Sequence, residues 1–222
     1  MAEDVEELND RLAREHPIND YYAKSPLPMR LIEYKRLALI RDMVDEVPGG
    51  RILEVGSGGG HVLAMFRRSK LVGSDVAGVF LETARKNLEG YDVELIKGEL
   101  QEQQLPAESF DRIICTEVLE HVEDPDVILT EIGRLLKPDG IAVITIPNDP
   151  LINRLKQIVR VSPVGWVLGN RIEWGGDKYH LHQWTPGEFR SYLERWFDVE
   201  QYRAAPLTQL PIRACFKCRV RR

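Results

Sequence analysis

The side chains of this sequence best placed to do chemistry fall into two groups. Glu117, Glu120 and His121 form the pattern E-x-x-E-H. If a helix starts where the preceding strand ends, they sit at i, i+3 and i+4 and share one helical face. Two carboxylates and an imidazole at that spacing suit a divalent cation such as Mg²⁺ or Zn²⁺, because helical metal sites draw on the same donors. A fourth donor is available from His180 or His182 in DKYHLHQWTPGEF. The same residues also read without metal, with the glutamates lining a pocket and the histidine capping or packing. In a hydroxyl-activating site, His121 or His180 is a candidate general base, with Glu117 beside them.

The second group lies in Arg51 to Leu63, RILEVGSGGGHVL. Ile52, Leu53 and Val55 lead into Gly56, Gly58, Gly59 and Gly60, and an apolar segment from Val62 to Phe66 follows, so the stretch reads as buried strand, tight turn and helix. A glycine turn bares backbone N–H groups, and a helix start there would add a favourable dipole for electron-rich ligand atoms. The position three after Gly58 is His61, not glycine, and Glu54 would repel a phosphate, so a dinucleotide is disfavoured. A ligand with an ammonium and a sulfonium suits Glu54 better. Asp75 ends the next strand, KLVGSD, where an acid can take both hydroxyls of a ribose. Together these residues describe an adenosine with a cationic tail.

On these motifs the sequence resembles the class I S-adenosylmethionine (SAM) dependent methyltransferases. The matching elements are ILEVGSGGG, VGSDVA, KGELQEQQLPAESFDRIICTEVLEHV and LLKPDGIAVITIPN, which cover Arg51 to Asn148 in family order. The resemblance implies that Glu54, Gly56, Ser57 and Gly58 cradle the cofactor and that Asp75 with Val76 meets the ribose. It also implies that Glu99 and the N–H of Leu100 face the adenine, and that Thr116 stands at the cleft rim. Glu99 replaces the commoner aspartate, keeping the charge with a longer reach. Two sets of relatives share the E-x-x-E-H pattern. Ubiquinone-biosynthesis O-methyltransferases resemble it through EVLEHVEDP. Small-RNA 3′-end 2′-O-methyltransferases resemble it through His180, four residues before Trp184-Thr185, which implies a cation held by Glu117, Glu120, His121 and His180. Three functions remain: an O-methyltransferase for a small or lipophilic hydroxyl acceptor, an RNA 2′-O-methyltransferase, and a non-enzymatic partner protein with a SAM fold.

Strands alternating with helices mean a doubly wound α/β domain whose ligands bind beyond the carboxyl ends of the strands. The expected architecture is a Rossmann-like, mostly parallel seven-stranded sheet over residues 51–222, with N-terminal cap helices over residues 1–50. Of these helices, one spans Asp4 to Glu15. The other spans Met29 to Val47 and buries Leu31, Ile32, Leu39, Ile40, Met43 and Val44, before Pro48-Gly49-Gly50 stops it. Tyr21 and Tyr22 are candidate pocket walls. Phe197 to Arg203 and Ile212 to Val220 close the sheet as an antiparallel hairpin, which would put Cys215 and Cys218 on opposite faces. The 150–178 link is too long for a simple connection and reads as a lid or substrate element. Within Leu151 to Leu168, apolar residues alternate with Arg154, Lys156 and Arg160 at helical spacing, and Trp166 follows. This is the pattern of a helix lying on a membrane or walling a lipophilic pocket. Thr185, Pro186 and Glu188 form a capping box for a helix reaching Trp196.

A chain of 222 residues with 43% hydrophobic content can bury one sizeable core. The formal charge of -5 gives no general attraction to nucleic acid, although Arg213, Lys217, Arg219, Arg221 and Arg222 make the end locally basic. An acidic start, MAEDVEELND, reads as neither leader nor transit peptide, and no apolar run reaches membrane-spanning length. With three cysteines that make no closed disulfide set, the expected location is the cytoplasm, free or at a membrane surface.

Overall fold

The structure is a computed structural model and describes residues 25–162 and 180–221. Its strands are β1 (Arg51–Val55), β2 (Lys70–Asp75), β3 (Val93–Lys97), β4 (Phe110–Thr116), β5 (Leu136–Pro147), β6 (Phe197–Leu207) and β7 (Leu210–Val220). They form one sheet in the order β3-β2-β1-β4-β5-β7-β6. The first five pair in parallel, and β7 runs antiparallel to both β5 and β6. Its helices are α1 (Leu27–Val44), α2 (Gly78–Asn87), α3 (Pro125–Leu135), α4 (Asp149–Val161) and α5 (Pro186–Leu193). This is the Rossmann-like architecture expected, with a longer hairpin.

The central strands are continuous apolar runs because helices cover both faces. Neighbouring residues divide between two cores. Leu53, Ile113 and Ile144 pack with Leu129, Ile132 and Leu135 of α3 and Phe189 and Leu193 of α5. Ile52, Ile114 and Val143 pack with Leu39, Ile40, Met43 and Val44 of α1 and Ala84 of α2. The two hairpin cysteines follow the alternation: Cys218 belongs to the first core and Cys215 to the second. Both thiols and that of Cys115 are buried, and burial pushes all three up, Cys215 to about 12.

Helix α1 begins at Leu27, directly after Pro26, and ends at Val44, followed by Asp45 in the left-handed conformation (φ 49°). It is therefore shorter at its end than the Met29 to Val47 expectation. Leu39, Ile40, Met43 and Val44 are buried as their spacing required, but Leu31 is 58% exposed. The helix buries two charged residues instead, Glu33 and Arg36, joined at 2.8 Å. The helix expected over Asp4 to Glu15, together with Tyr21, Tyr22, Trp166 and Leu168, lies outside the described residues.

The segment after the glycine turn also differs from expectation. Only one 3₁₀ turn, Leu63–Met65, stands where a helix was anticipated, and Phe66 is already extended. The chain must turn after Val55 and return through Arg67 to Ser69 to start β2 at Lys70, which leaves no room for a longer helix. One turn aligns too few peptides for a useful macrodipole, so that contribution to ligand binding is absent here. Glycine is required at Gly56, where φ is 65° and a Cβ would lie 2.4 Å from Val118 Cγ2. It is likewise required at Gly60, where φ is 74° and a Cβ would meet Leu88 Cδ1 at 2.8 Å.

Candidate active site

The sheet order reverses between β1 and β4, and the cleft beyond their carboxyl ends is where doubly wound folds bind ligands. The glycine turn follows β1, Asp75 ends β2, Glu99 follows β3, Thr116 ends β4, and Asn148 and Asp149 follow β5.

Asp75 ties the glycine turn to the start of α2. Its Oδ2 accepts from Gly58 N–H at 2.7 Å, and its Oδ1 accepts from Ala77 N–H at 2.9 Å. Ser57 N–H donates to Ser74 C=O at 2.9 Å, so the turn is fastened to β2 by main chain as well. Val76 is half-buried beside Asp75, Leu100 is buried, and Glu99 is exposed, its carboxylate accepting from the Gln101 amide.

Ser57 Oγ and Glu54 Oε2, both buried at this turn, have no hydrogen-bond partner among the described residues. Glu54 is 2% exposed, and burial pushes its carboxyl well above the usual range, against the lowering effects of the Leu63 N–H and Arg36. A buried carboxylate short of a partner fits a cationic ligand group and opposes a phosphate. The residues present therefore fit a ligand that carries a cationic group, as SAM does.

The E-x-x-E-H segment is a turn, which corrects the helical placement. Helix α3 starts only at Pro125, where Asp124 caps it by accepting from Asp126 N–H at 3.0 Å. Upstream, Glu117 has φ 56°, which a right-handed helix cannot contain, and His121 N–H closes the turn onto Val118 C=O at 2.9 Å. Glu117 Oε1 accepts from Thr145 Oγ1 at 3.1 Å, while Oε2 lies 3.1 Å from Arg213 Nε.

Ligand atoms of Glu120, His121 and His180 lie within 4.8 Å of one another. Glu117, the fourth member of the set read from sequence, is not in this group and is engaged by Arg213 instead. Glu120 is 1% exposed, and neither of its carboxylate oxygens has a hydrogen-bond partner among the described residues. Burial, reinforced by the charge of Glu117, pushes its carboxyl well above the usual range. The His121 and His180 rings meet edge to face at 4.7 Å between centroids. Between the two later histidines the structure discriminates: His182 bonds Val122 C=O at 3.0 Å through Nε2 and stacks on Trp184, while His180 joins the cluster.

The chain returns to this cluster through its main chain, Leu181 N–H and His182 N–H both donating to Glu120 C=O, at 2.8 and 3.2 Å. Thr185 then caps α5 with the anticipated box, and the helix ends at Leu193, short of Trp196. Sequence reasoning missed Asp149, whose Oδ2 lies 2.6 Å from His180 Nδ1. It also missed Arg213 as a partner of Glu117, because the register that sets Arg213 opposite Pro147 of β5 is a tertiary fact. The one local signal was a basic residue between Ile212 and Ala214 in a buried strand.

Residues 53–144 match the family model described as "Methyltransferase domain". A ubiquinone biosynthesis O-methyltransferase of Idiomarina loihiensis is 37% identical over 147 residues, covering 63% of this chain and 60% of the relative. A protein of the same name from Neisseria meningitidis is 39% identical over 131 residues, covering 53% of this chain and 55% of the relative. The chain thus spans about three fifths or less of the length of these two relatives. Among solved structures, a TehB-like SAM-dependent methyltransferase of Corynebacterium glutamicum superposes with a TM-score of 0.62 at 19% identity, covering 96% of this chain and 99% of that one. The RNA and non-enzymatic readings find no support among these relatives. With the sheet order, the glycine turn and the acid at the end of β2 in place, the chain has a Rossmann-like fold in which residues 53–144 are similar to a methyltransferase domain.

Proposed function

We propose that the protein transfers the methyl group of SAM to a hydroxyl of a small, lipophilic acceptor, of the kind implied by the ubiquinone biosynthesis named for its relatives. The observation that carries this reading is the convergence of Glu120, His121 and His180 beyond the strand ends, with a buried carboxylate that has no hydrogen-bond partner among the described residues. SAM supplies an already activated sulfonium methyl, so the chain's part is alignment and proton removal. Holding nucleophile and methyl in line can contribute ~7 kcal/mol or more. Glu54 and Asp75 fix the two ends of the cofactor; Glu120, His121 and His180 are the residues that would hold a divalent cation such as Mg²⁺ or Zn²⁺, whose chemistry there would be to acidify the acceptor hydroxyl. Glu117, its charge matched by Arg213, stands at the rim of that site.

The acceptor's lipophilic character is supported by α4. Its apolar residues Ile158 and Val161 are 62% and 84% exposed, and Arg154 and Arg160 beside them are exposed too. That is the profile of a helix that can lie on an anionic membrane surface, and no helix among the described residues is long and apolar enough to cross one. We place the protein in the cytoplasm, at the membrane face where a lipophilic acceptor resides.

The test is methyl transfer from labelled SAM to a catechol carrying a short prenyl chain, before and after chelation. Activity that disappears with chelator, returns with Mg²⁺, Mn²⁺ or Zn²⁺, and is lost in Glu120→Gln supports the reading. Full activity in both the chelated protein and Glu120→Gln overturns the role given to the cluster.

A further inference from the structure

We infer that Asp149 is the positioning residue of this site: its carboxylate accepts a hydrogen bond from Nδ1–H of His180 and thereby leaves the lone pair of Nε2 on that ring for the cluster with Glu120 and His121. The inference rests on the cation reading above. Asp149 is 3% exposed and holds His180 Nδ1 at 2.6 Å, and the His180 side chain is itself only 10% exposed.

An ionised carboxylate only accepts, so the nitrogen it faces must carry the proton, and a neutral imidazole then has its other nitrogen bare. Histidines that bind metals are commonly held in this way by a carboxylate, and losing that partner typically costs about 10–100-fold in affinity.

The backbone around Asp149 is built to hold it still. It occupies the first turn of the 13-residue helix α4, where the helix dipole favours a negative charge. Immediately before it, Asn148 caps the helix by accepting from Leu151 N–H at 3.3 Å, and Asn148 N–H donates to Ile212 C=O of β7 at 3.0 Å. On the other side of the pair, His180 is followed by the two N–H groups that bond Glu120 C=O. Carboxylate and imidazole are thus fixed from independent elements, 31 residues apart in sequence.

The experiment is long-range ¹H–¹⁵N spectroscopy of the full chain labelled at its five histidines, with the His180 signals assigned by their loss in His180→Gln. Co²⁺ and Zn²⁺ titrations of wild type and Asp149→Asn accompany it. The expected wild-type spectrum is the Nδ1–H tautomer at His180. In Asp149→Asn, the Nε2–H form should grow in and metal affinity should fall about 10–100-fold, while the melting temperature and S-adenosylhomocysteine affinity hold. An Nε2–H or doubly protonated His180 in the wild type overturns the inference, as does unchanged tautomer and metal affinity in the variant. A wild type that binds neither metal overturns the cation reading instead, and the tautomer spectra still decide what Asp149 does.

Discussion

Arg213 Nε lies 3.1 Å from Glu117 Oε2, and the same nitrogen lies 3.1 Å from Glu33 Oε1. One guanidinium on β7 therefore joins helix α1 to the turn that carries the candidate site. Glu33 is buried, and its own helix supplies a second cation, Arg36. Removing Arg213 leaves Glu33 with one of its two cations, so Arg213→Met should cost about 1.5–3 kcal/mol in urea unfolding, the scale of one hydrogen bond to a charged group. Glu33→Gln combined with Arg213→Met should recover part of that loss. Burial alone pushes Glu33 up, but the charges and hydrogen bonds of Arg36 and Arg213 bring it below the usual carboxylate value of 4.5. Its folded-state pKa is thus the lower one, so its stabilisation is present above 4.5 and disappears as pH falls through the folded value. Acid unfolding that is unchanged in Glu33→Gln would contradict this.

Asp75 is expected to carry cofactor affinity. Asp75→Ala removes a charge-assisted bond to the ligand, worth ~1.5–3 kcal/mol, and also the tether to Gly58 N–H. Calorimetry with S-adenosylhomocysteine should show affinity reduced by at least about tenfold, with no NAD binding in the wild type. An unaltered dissociation constant in Asp75→Ala would remove Asp75 from the ribose.

Glu54 should show a conflict between binding and stability. Because burial holds its folded pKa well above 4.5, the folded protein retains a proton that the unfolded chain releases, and stability falls as pH rises from 4.5 toward the folded value. Glu54→Gln should therefore stabilise the ligand-free protein at neutral pH by about 1–3 kcal/mol, the scale of an unsatisfied buried polar group. The same change should weaken SAM binding. Urea denaturation at several pH values would reveal it, and a destabilised Gln variant would mean that Glu54 has a cationic partner within the protein.

Helix α4 should bring the protein to anionic vesicles. Sedimentation with phosphatidylglycerol liposomes should decline with added salt and in Arg154→Ala/Arg160→Ala, by roughly 1 kcal/mol per charge. Ile158→Ser/Val161→Ser should reduce it as well, through the burial of apolar surface. The absence of binding at low salt would leave a soluble acceptor.

Most of the sheet could be read in the sequence because its strands are short, apolar and bounded by turns. β2 spans the residues expected, and Thr185 caps α5 as its box requires. Local spacing misled where two conformations satisfy it. The positions of Glu117, Glu120 and His121 fit one helical face, yet a left-handed Glu117 makes the segment a turn that still brings Glu120 and His121 together. The glycine turn predicted a helix from composition alone, without the distance the chain had to cover to reach β2. What escaped entirely was long-range pairing: Asp149 with His180 and Arg213 with Glu33 lie 31 and 180 residues apart, and no periodicity records such contacts.

The two hydrogen bonds from Leu181 and His182 to Glu120 C=O are made by main chain on both sides. Neither depends on which side chains occupy positions 181 and 182. Together with the Asp149–His180 contact, they fix the place where the chain returns, beside the turn that carries Glu120. The position of residue 180 beside Glu120 is thus set by backbone geometry, and substitutions at 181 and 182 should leave it in place.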